Sequence, residues 1–347
     1  MKIRLLSHDL GIDLGTSNIL IYEDTKGIVI REPAIVAMDK NTGNILQVGA
    51  AARNMLGRTP GNLVAMKPMK DGVISDHEMT VKMLQTLFRQ VNRSSLFTPK
   101  PRVVICVPSG VTEVEERTVI NAVMDAGARR VYLIEEPLAA AYGANLDISG
   151  PNGHMVVDIG GGTTDIAVLS LGGVAVSSSI KIAGEAMDEA IARYVRRKHG
   201  VVIGQVTAEE IKIQIGCVYH RPENITMTVR GRDAKTGLPR DLTLSSQEMY
   251  DILSRPARQI ADEVLSVLEE TSPELVSDIA ENGITLTGGG SQLWGMDKLL
   301  TERTGILCTL ADDPDCCVAY GCGKSIGWIN HMTEGPINIA RKRILRR

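Results

Sequence analysis

Three aspartates frame the chemistry written into this chain. Asp13 stands in "GIDLGTSN", and Asp158 and Asp165 stand in "VVDIGGGTTDIAV". In both stretches an apolar run delivers an aspartate to a turn of glycines and hydroxyl residues, and a second apolar run follows. Glycines in such a turn let the backbone approach an anion closely, and successive amides can point into it. The candidate phosphate contacts are therefore Thr16, Ser17 and Asn18 in the first turn and Gly160, Gly161, Gly162 and Thr163 in the second. A third cluster, Gly288-Gly289-Gly290-Ser291, follows the apolar run "ITLT" and precedes a helical pattern, where a nucleoside or phosphate can pack against backbone. A single turn of this kind is ordinary. Three of them, two sharing the same Asp-x-Gly pattern, point to nucleotide binding.

Neither Asp-bearing turn contains a lysine or arginine, and the GxxxxGK[ST] loop that brings a lysine to phosphates does not occur. Carboxylates beside a polyphosphate require a bridging cation. Magnesium keeps several waters and uses few protein oxygens, so Asp13 and Asp158 are expected to hold Mg²⁺ largely through water, with Asp165 a further candidate. Hydrolysis also needs a group that orients the attacking water. The stretch "LIEEPLAAAYG" ends a strand at Glu135-Glu136-Pro137. Glu136 is the candidate because the proline fixes its position, whereas strand alternation turns Glu135 to the other face.

These residues must be held by two similar units. The apolar–Asp–Gly-turn–apolar plan is that of a β-hairpin, and it occurs twice, about 145 residues apart. Nothing repeats at the short period of a solenoid. Around the hairpins, strand and helix patterns alternate. "RVVICVP" reads as a buried strand, "TEVEERTVINAVMDAG" as a helix capped by threonine, and "LAAAYGAN" as a helix. "EAMDEAIARYVRRKHG", "TAEEIKIQIGCVY", "SRPARQIADEVLSVLEE" and "MDKLLTERTG" also read as helices, and "ENITMTVRGRDAKTGLPRDLTLS" as a hairpin. In "MTVKMLQTLFRQV", Met79, Met83, Leu84, Leu87, Phe88 and Val91 recur at helical spacing. The fold class is α/β, with helices flanking sheets in at least two lobes, since 347 residues exceed one ordinary core.

At 44% hydrophobic and 23% charged residues, the composition is that of a globular protein. No stretch reaches the roughly 18 to 20 apolar residues of a transmembrane helix, and "MKIRLLSHDLG" lacks the apolar run of a cleaved leader. The expected location is the cytoplasm. A net charge of -3 argues against nucleic acid as partner, although the tail "RKRILRR" and the head are basic enough to be drawn to an acidic surface. Six cysteines form no CxxC pair and are expected to be inert, buried thiols. Phe97 is odd: one of two phenylalanines, it stands beside Leu96 in the polar loop "NRSSLFTP". Composition leaves open whether the pair is exposed or folded back.

Taken in order, "GIDLGTSN", "VPSGVTEVEERTVINAVMDAGARRVYLIEEPLAAAYGA", "VVDIGGGTTDIAV", "GEAMDEAIARYVRRKHGVVIG", "TAEEIKIQIG", "RGRDAKTGLPR" and "TGGGSQLWGMDKLL" resemble the MreB/Mbl family of bacterial actin homologues. The resemblance spans about residue 9 to about residue 330. It implies an actin-like ATPase fold of two lobes, each an RNase-H-like mixed sheet with a smaller insertion. On that plan 1–35, 69–149 and 318–347 form the first lobe core and 36–68 its insertion. Residues 150–185 and 250–317 form the second core and 186–249 its insertion.

The resemblance further implies ATP and Mg²⁺ in the cleft, with Glu209, Glu210, Ile211 and Lys212 lining the nucleoside together with Gly288 to Ser291, and Glu136 orienting water. It implies slow ATP hydrolysis coupled to assembly into antiparallel double protofilaments. These would lie on the inner face of the cytoplasmic membrane, organise cell-wall synthesis with elongation membrane proteins, and touch lipid through Leu96 and Phe97. Glu210 departs from the family pattern, which has arginine there, and puts one nucleoside contact in doubt; "TSN" replaces the usual "TAN". A small-molecule kinase of the same superfold is the alternative, but no aspartate base facing an acceptor pocket stands out.

Overall fold

The computed structural model describes residues 9–91, 99–329 and 337–338. The loop pair Leu96-Phe97 and both basic ends lie outside the described residues. Two large sheets carry the molecule, and they are built to one plan. In the first, strand Leu10–Leu14 pairs antiparallel with Asn18–Glu23, which pairs antiparallel with Gly27–Pro33. On its other side Leu10–Leu14 runs parallel to Arg102–Val107, which runs parallel to Arg130–Glu135. In the second, His154–Ile159 takes the same central place. It is antiparallel to Thr164–Ser170, which is antiparallel to Gly173–Ile180, and parallel to Ile284–Thr287, which is parallel to Cys308–Leu310. The first sheet adds Ile337–Asn338 at its edge. The duplicated hairpin of the sequence is thus the visible part of a duplicated five-strand unit.

Two smaller three-stranded sheets accompany these units. One joins Ile45–Val48, Val36–Asp39 and Leu63–Met66, and the other joins Val201–Val202, Thr226–Asp233 and Pro239–Ser245.

Between the large sheets lie two helices, Glu136–Gly143 and Cys317–Ile329. Val104 and Ile134 from one sheet and Val156, Ala167 and Leu169 from the other join Leu138, Ala139, Val318 and Cys322 in a single buried cluster. The helices touch backbone to backbone: a Cβ on Gly143 would lie 1.8 Å from the Cys317 carbonyl oxygen, and one on Gly321 would lie 1.8 Å from that of Ala139. Each outer face has its own core. Helix His77–Val91 buries Met79, Met83, Leu84, Leu87 and Phe88 on the first sheet, the stripe expected from spacing. Helix Ser246–Glu270 covers the second.

Local signals explain two of the helix starts. Thr112 caps helix Glu113–Asp125 through a reciprocal capping box with Glu115, as anticipated. Helix Ser246–Glu270 starts earlier than the pattern after Ser254 suggested, at a capping box of Ser245 and Glu248, and it carries Pro256 inside. The box supplies the true start, and a buried apolar face keeps the helix continuous through the proline.

Candidate functional site

The two Asp-bearing turns meet. Each hairpin projects its turn from the same end of its sheet, and the duplicated lobes face one another across a cavity of about 520 Å³. A Cβ on Gly161 would lie 2.2 Å from Ser17 Oγ, and one on Gly162 would lie 2.4 Å from Thr16 Oγ1, so only glycine lets the turns approach this closely. Thr16 Oγ1 accepts a bond from the Gly72 amide at 3.0 Å, and Gly160 N donates to Thr163 O at 2.9 Å, fixing both turns. The N-terminus of helix Gly184–Tyr194 abuts the second turn, where the Gly184 and Glu185 amides donate to the Gly160 and Gly161 carbonyls.

Behind the turns stand the carboxylates. Asp13 and Asp158 both face the cavity. Asp158 is buried and accepts from Thr287 Oγ1 at 2.7 Å, while Cys106 Sγ lies 3.7 Å from Asp13 Oδ1. Burial and the charge of Asp158 raise Asp13 to about 7; burial, with a contribution from Asp165, raises Asp158 to about 7. Asp165 accepts from the Ser109 amide at 2.9 Å and is raised by burial to about 6. It does not line the cavity; it ties the second hairpin to the loop beyond strand Arg102–Val107. Glu136 lines the cavity and is held well above its ordinary value by burial first, then by the charges of Asp165, Asp158 and Asp13. Its position has a structural cause: strand Arg130–Glu135 ends, and Glu136 opens the next helix with Pro137 inside the first turn, where the missing N–H costs nothing.

Like charges crowded in one buried site repel, and a divalent cation would relieve them. No cluster of three or more His, Cys, Asp or Glu side chains able to hold a metal directly exists among the described residues. A cation here must take most of its ligands from water and from a bound anion, which fits magnesium. The glycine turns fit an anion of phosphate size.

The nucleoside side follows helical geometry rather than the contiguous run 209–212. In helix Gln205–Ile215, Glu209, Lys212 and Ile213 line the cavity, with Gly216 just beyond, the i, i+3, i+4, i+7 face. Glu210 is instead exposed, and Ile211 is buried in the core, so neither lines the cleft. Glu209 is bound by Arg53 at 2.7 Å, and Lys212 bonds the Gly184 carbonyl and Asp188. Gly288, Gly289 and Gly290 line the cavity; Ser291 is buried beneath them, its hydroxyl donating to Gly288 O at 2.6 Å.

Sequence reasoning missed several lining residues. Arg31, Met69, Gly72, Cys106 and Arg221 lie outside the stretches that carry the resemblance, and Trp294 lies inside one of them without having been singled out. Cys106 was expected to be an inert core thiol, and it does reach the cavity floor; strand alternation in "RVVICV" was the available signal. The charge missing from the turns is present at the rim: Arg31 pairs with Asp315 and Lys67 with Glu185.

With this geometry in place, similarity to known proteins becomes informative. The family model described as MreB/Mbl protein matches residues 7–334. The cell shape-determining protein MreB of Escherichia coli is 50% identical over 330 residues, covering 94% of this chain and 95% of that protein. The cell shape-determining protein Mbl of Bacillus subtilis is 47% identical, covering 96% and 100%. The crystal structure of MreB5 of Spiroplasma citri bound to ADP superposes with a TM-score of 0.88 at 37% identity, covering 93% of this chain and 97% of that one. A duplicated mixed-sheet unit, paired glycine turns and these matches along nearly the whole length lead to one assignment: the chain belongs to the MreB/Mbl family of actin-like proteins.

Proposed function

We propose that this chain is an ATP-dependent, polymerising bacterial actin that forms filaments on the inner face of the cytoplasmic membrane and organises cell-wall synthesis. The observation that carries the reading is the meeting of the two glycine turns over Asp13 and Asp158 in one cavity. In this reading Thr16, Ser17 and Asn18 hold phosphate oxygens from one lobe, and Gly160, Gly161, Gly162 and Thr163 from the other. Asp13 and Asp158 retain Mg²⁺ through its waters. Magnesium, when bound, supplies the positive charge that the turns themselves lack. Glu136 orients the attacking water and accepts its proton; burial beside other carboxylates holds its carboxyl above the ordinary value, which strengthens it as a base. Glu209, Lys212, Ile213, Gly216 and Gly288 to Gly290 enclose the nucleoside. The relative from Spiroplasma citri was solved bound to ADP, which supports a nucleotide in this cleft.

Hydrolysis is slow and times disassembly, and antiparallel double protofilaments are the working form. Among the described residues no helix is long and apolar enough to cross a membrane. Lipid contact is assigned to Leu96 and Phe97, whose full burial would contribute on the order of 3 to 5 kcal/mol per subunit. That is weak for one monomer and strong for a filament presenting many copies. Electron microscopy with ATP, Mg²⁺ and anionic liposomes tests the whole reading. Paired filaments lying on lipid are expected; monomers under every condition would sink it.

A further inference from the structure

A second cavity, of about 810 Å³, opens between helix Gly184–Tyr194 and the first half of helix Ser246–Glu270, and it shares no lining residue with the cleft. The two helices turn Met187, Ile191, Leu253 and Ala257 into the second core. On the faces beside these, Ala186 and Ala190 stand one turn apart and are too short to fill the space between the helices, so a groove remains. Its floor is apolar: Ile182 and Ile252 lie only partly covered at the edge of the core, and Pro256 lies between the helices. Its rim is cationic. Arg193, Arg197 and Arg255 line it from exposed positions, against Asp251 as the one acidic lining residue.

The chain does little to neutralise that rim. Arg193 meets Glu189 at 3.7 Å with both side chains exposed, and Arg197 and Arg255 form no ion pair among the described residues. Glu248, the carboxylate joined to Tyr194 in the groove wall, is already committed. Its Oε1 takes the Tyr194 hydroxyl at 3.0 Å and lies 3.0 Å from His199, and its Oε2 takes the Ser245 amide at the helix start. Arg197 stands on a π-helical turn, Val195–His199, a rare conformation that recurs at functional sites. From Ala186 to Arg197 the wall runs about 16 Å, room for about three turns of a docked helix. We propose that this groove is a docking site for an acidic amphipathic helix of a partner protein. The apolar stripe of such a helix would cover Ile182, Ala186, Ala190 and Ile252, and its carboxylates would meet Arg193, Arg197 and Arg255 in bidentate pairs. The chain's own basic ends carry the wrong sign for this rim.

The test titrates the full chain into a fluorescein-labelled helical peptide of about 14 residues, with leucine at i, i+3, i+4 and i+7 and glutamate elsewhere, followed by anisotropy. A peptide with lysine in place of glutamate is the control. The acidic peptide is expected to bind at least about tenfold more tightly than the basic one, and less tightly as salt rises. Arg197→Glu combined with Arg255→Glu is expected to weaken it by about tenfold or more. Ala190→Leu, which fills the groove without changing charge, is expected to weaken it as well. Binding of a fluorescent ADP analogue should be unchanged in both variants, which separates a lost groove from a lost fold. No binding of the acidic peptide to the parent chain, or equal binding of the two peptides, would overturn the proposal. Sedimentation with phosphatidylglycerol vesicles should survive the double arginine change; its loss with peptide binding intact would give the rim to lipid and overturn the proposal too.

Discussion

Glu136 illustrates how much one residue owes to its surroundings. Burial and three neighbouring aspartates push its carboxyl up, and the start of a helix aims it into the cavity. Replacing it by alanine removes the proposed proton acceptor without touching either glycine turn. Glu136→Ala is therefore expected to bind nucleotide as the parent does while phosphate release falls by on the order of a hundredfold or more. A coupled phosphate assay reads this directly, and an unchanged rate would remove Glu136 from the role. Gly162 acts through absence instead. Any side chain there meets Thr16, so Gly162→Val is expected to push the turns apart and weaken nucleotide binding by at least tenfold, measured by fluorescent-nucleotide titration. The glycine turns, the aspartates and Glu136 were legible because each needs a particular residue type at a particular spacing. Arg221 and Trp294 were not, because their meeting depends on two loops distant in sequence being stitched together.

At the level of elements, periodicity conveyed both identity and orientation. The stripe from Met79 to Phe88 and the cap at Thr112 appear where pattern places them. The reading of residues 209–212 as a continuous lining failed for a simple reason: a helix offers a cavity only every third or fourth side chain. Sheet order was legible only as a repeated hairpin, since strand pairing is a long-range property. The tightest element contact is the crossing of helices Glu136–Gly143 and Cys317–Ile329, where glycine hydrogens face carbonyl oxygens. Gly321→Val should force those helices apart. We expect a loss of about 3 kcal/mol in urea-induced unfolding, and a loss below about 1 kcal/mol would show that the crossing relaxes freely.

For the whole molecule, three ion pairs span the cleft: Arg31 with Asp315, Arg53 with Glu209, and Lys67 with Glu185. Each is partly exposed, so each alone contributes little and is weakened by salt. Together they bias the lobes toward closure. Arg53→Glu combined with Lys67→Glu replaces two attractions with repulsions and is expected to speed nucleotide release several-fold at low salt, with the difference shrinking as salt rises. Stopped-flow release of a fluorescent ADP analogue measures it, and equal rates at low salt would contradict the role. Replacing Leu96 and Phe97 with serine is expected to leave filament assembly intact and to abolish sedimentation with anionic liposomes. Loss of assembly itself would instead place those side chains in the fold.

The duplicated five-strand unit has one more consequence. Each copy owns half of a grip, so neither half is a binding protein by itself, and a ligand held between them acts as mortar. Its binding free energy is also the energy that sets two bricks at one angle. At a hundredfold excess over its dissociation constant a ligand contributes about 2.7 kcal/mol to the state it joins. Two turns set face to face thereby make the shape of the molecule a readout of what lies between them.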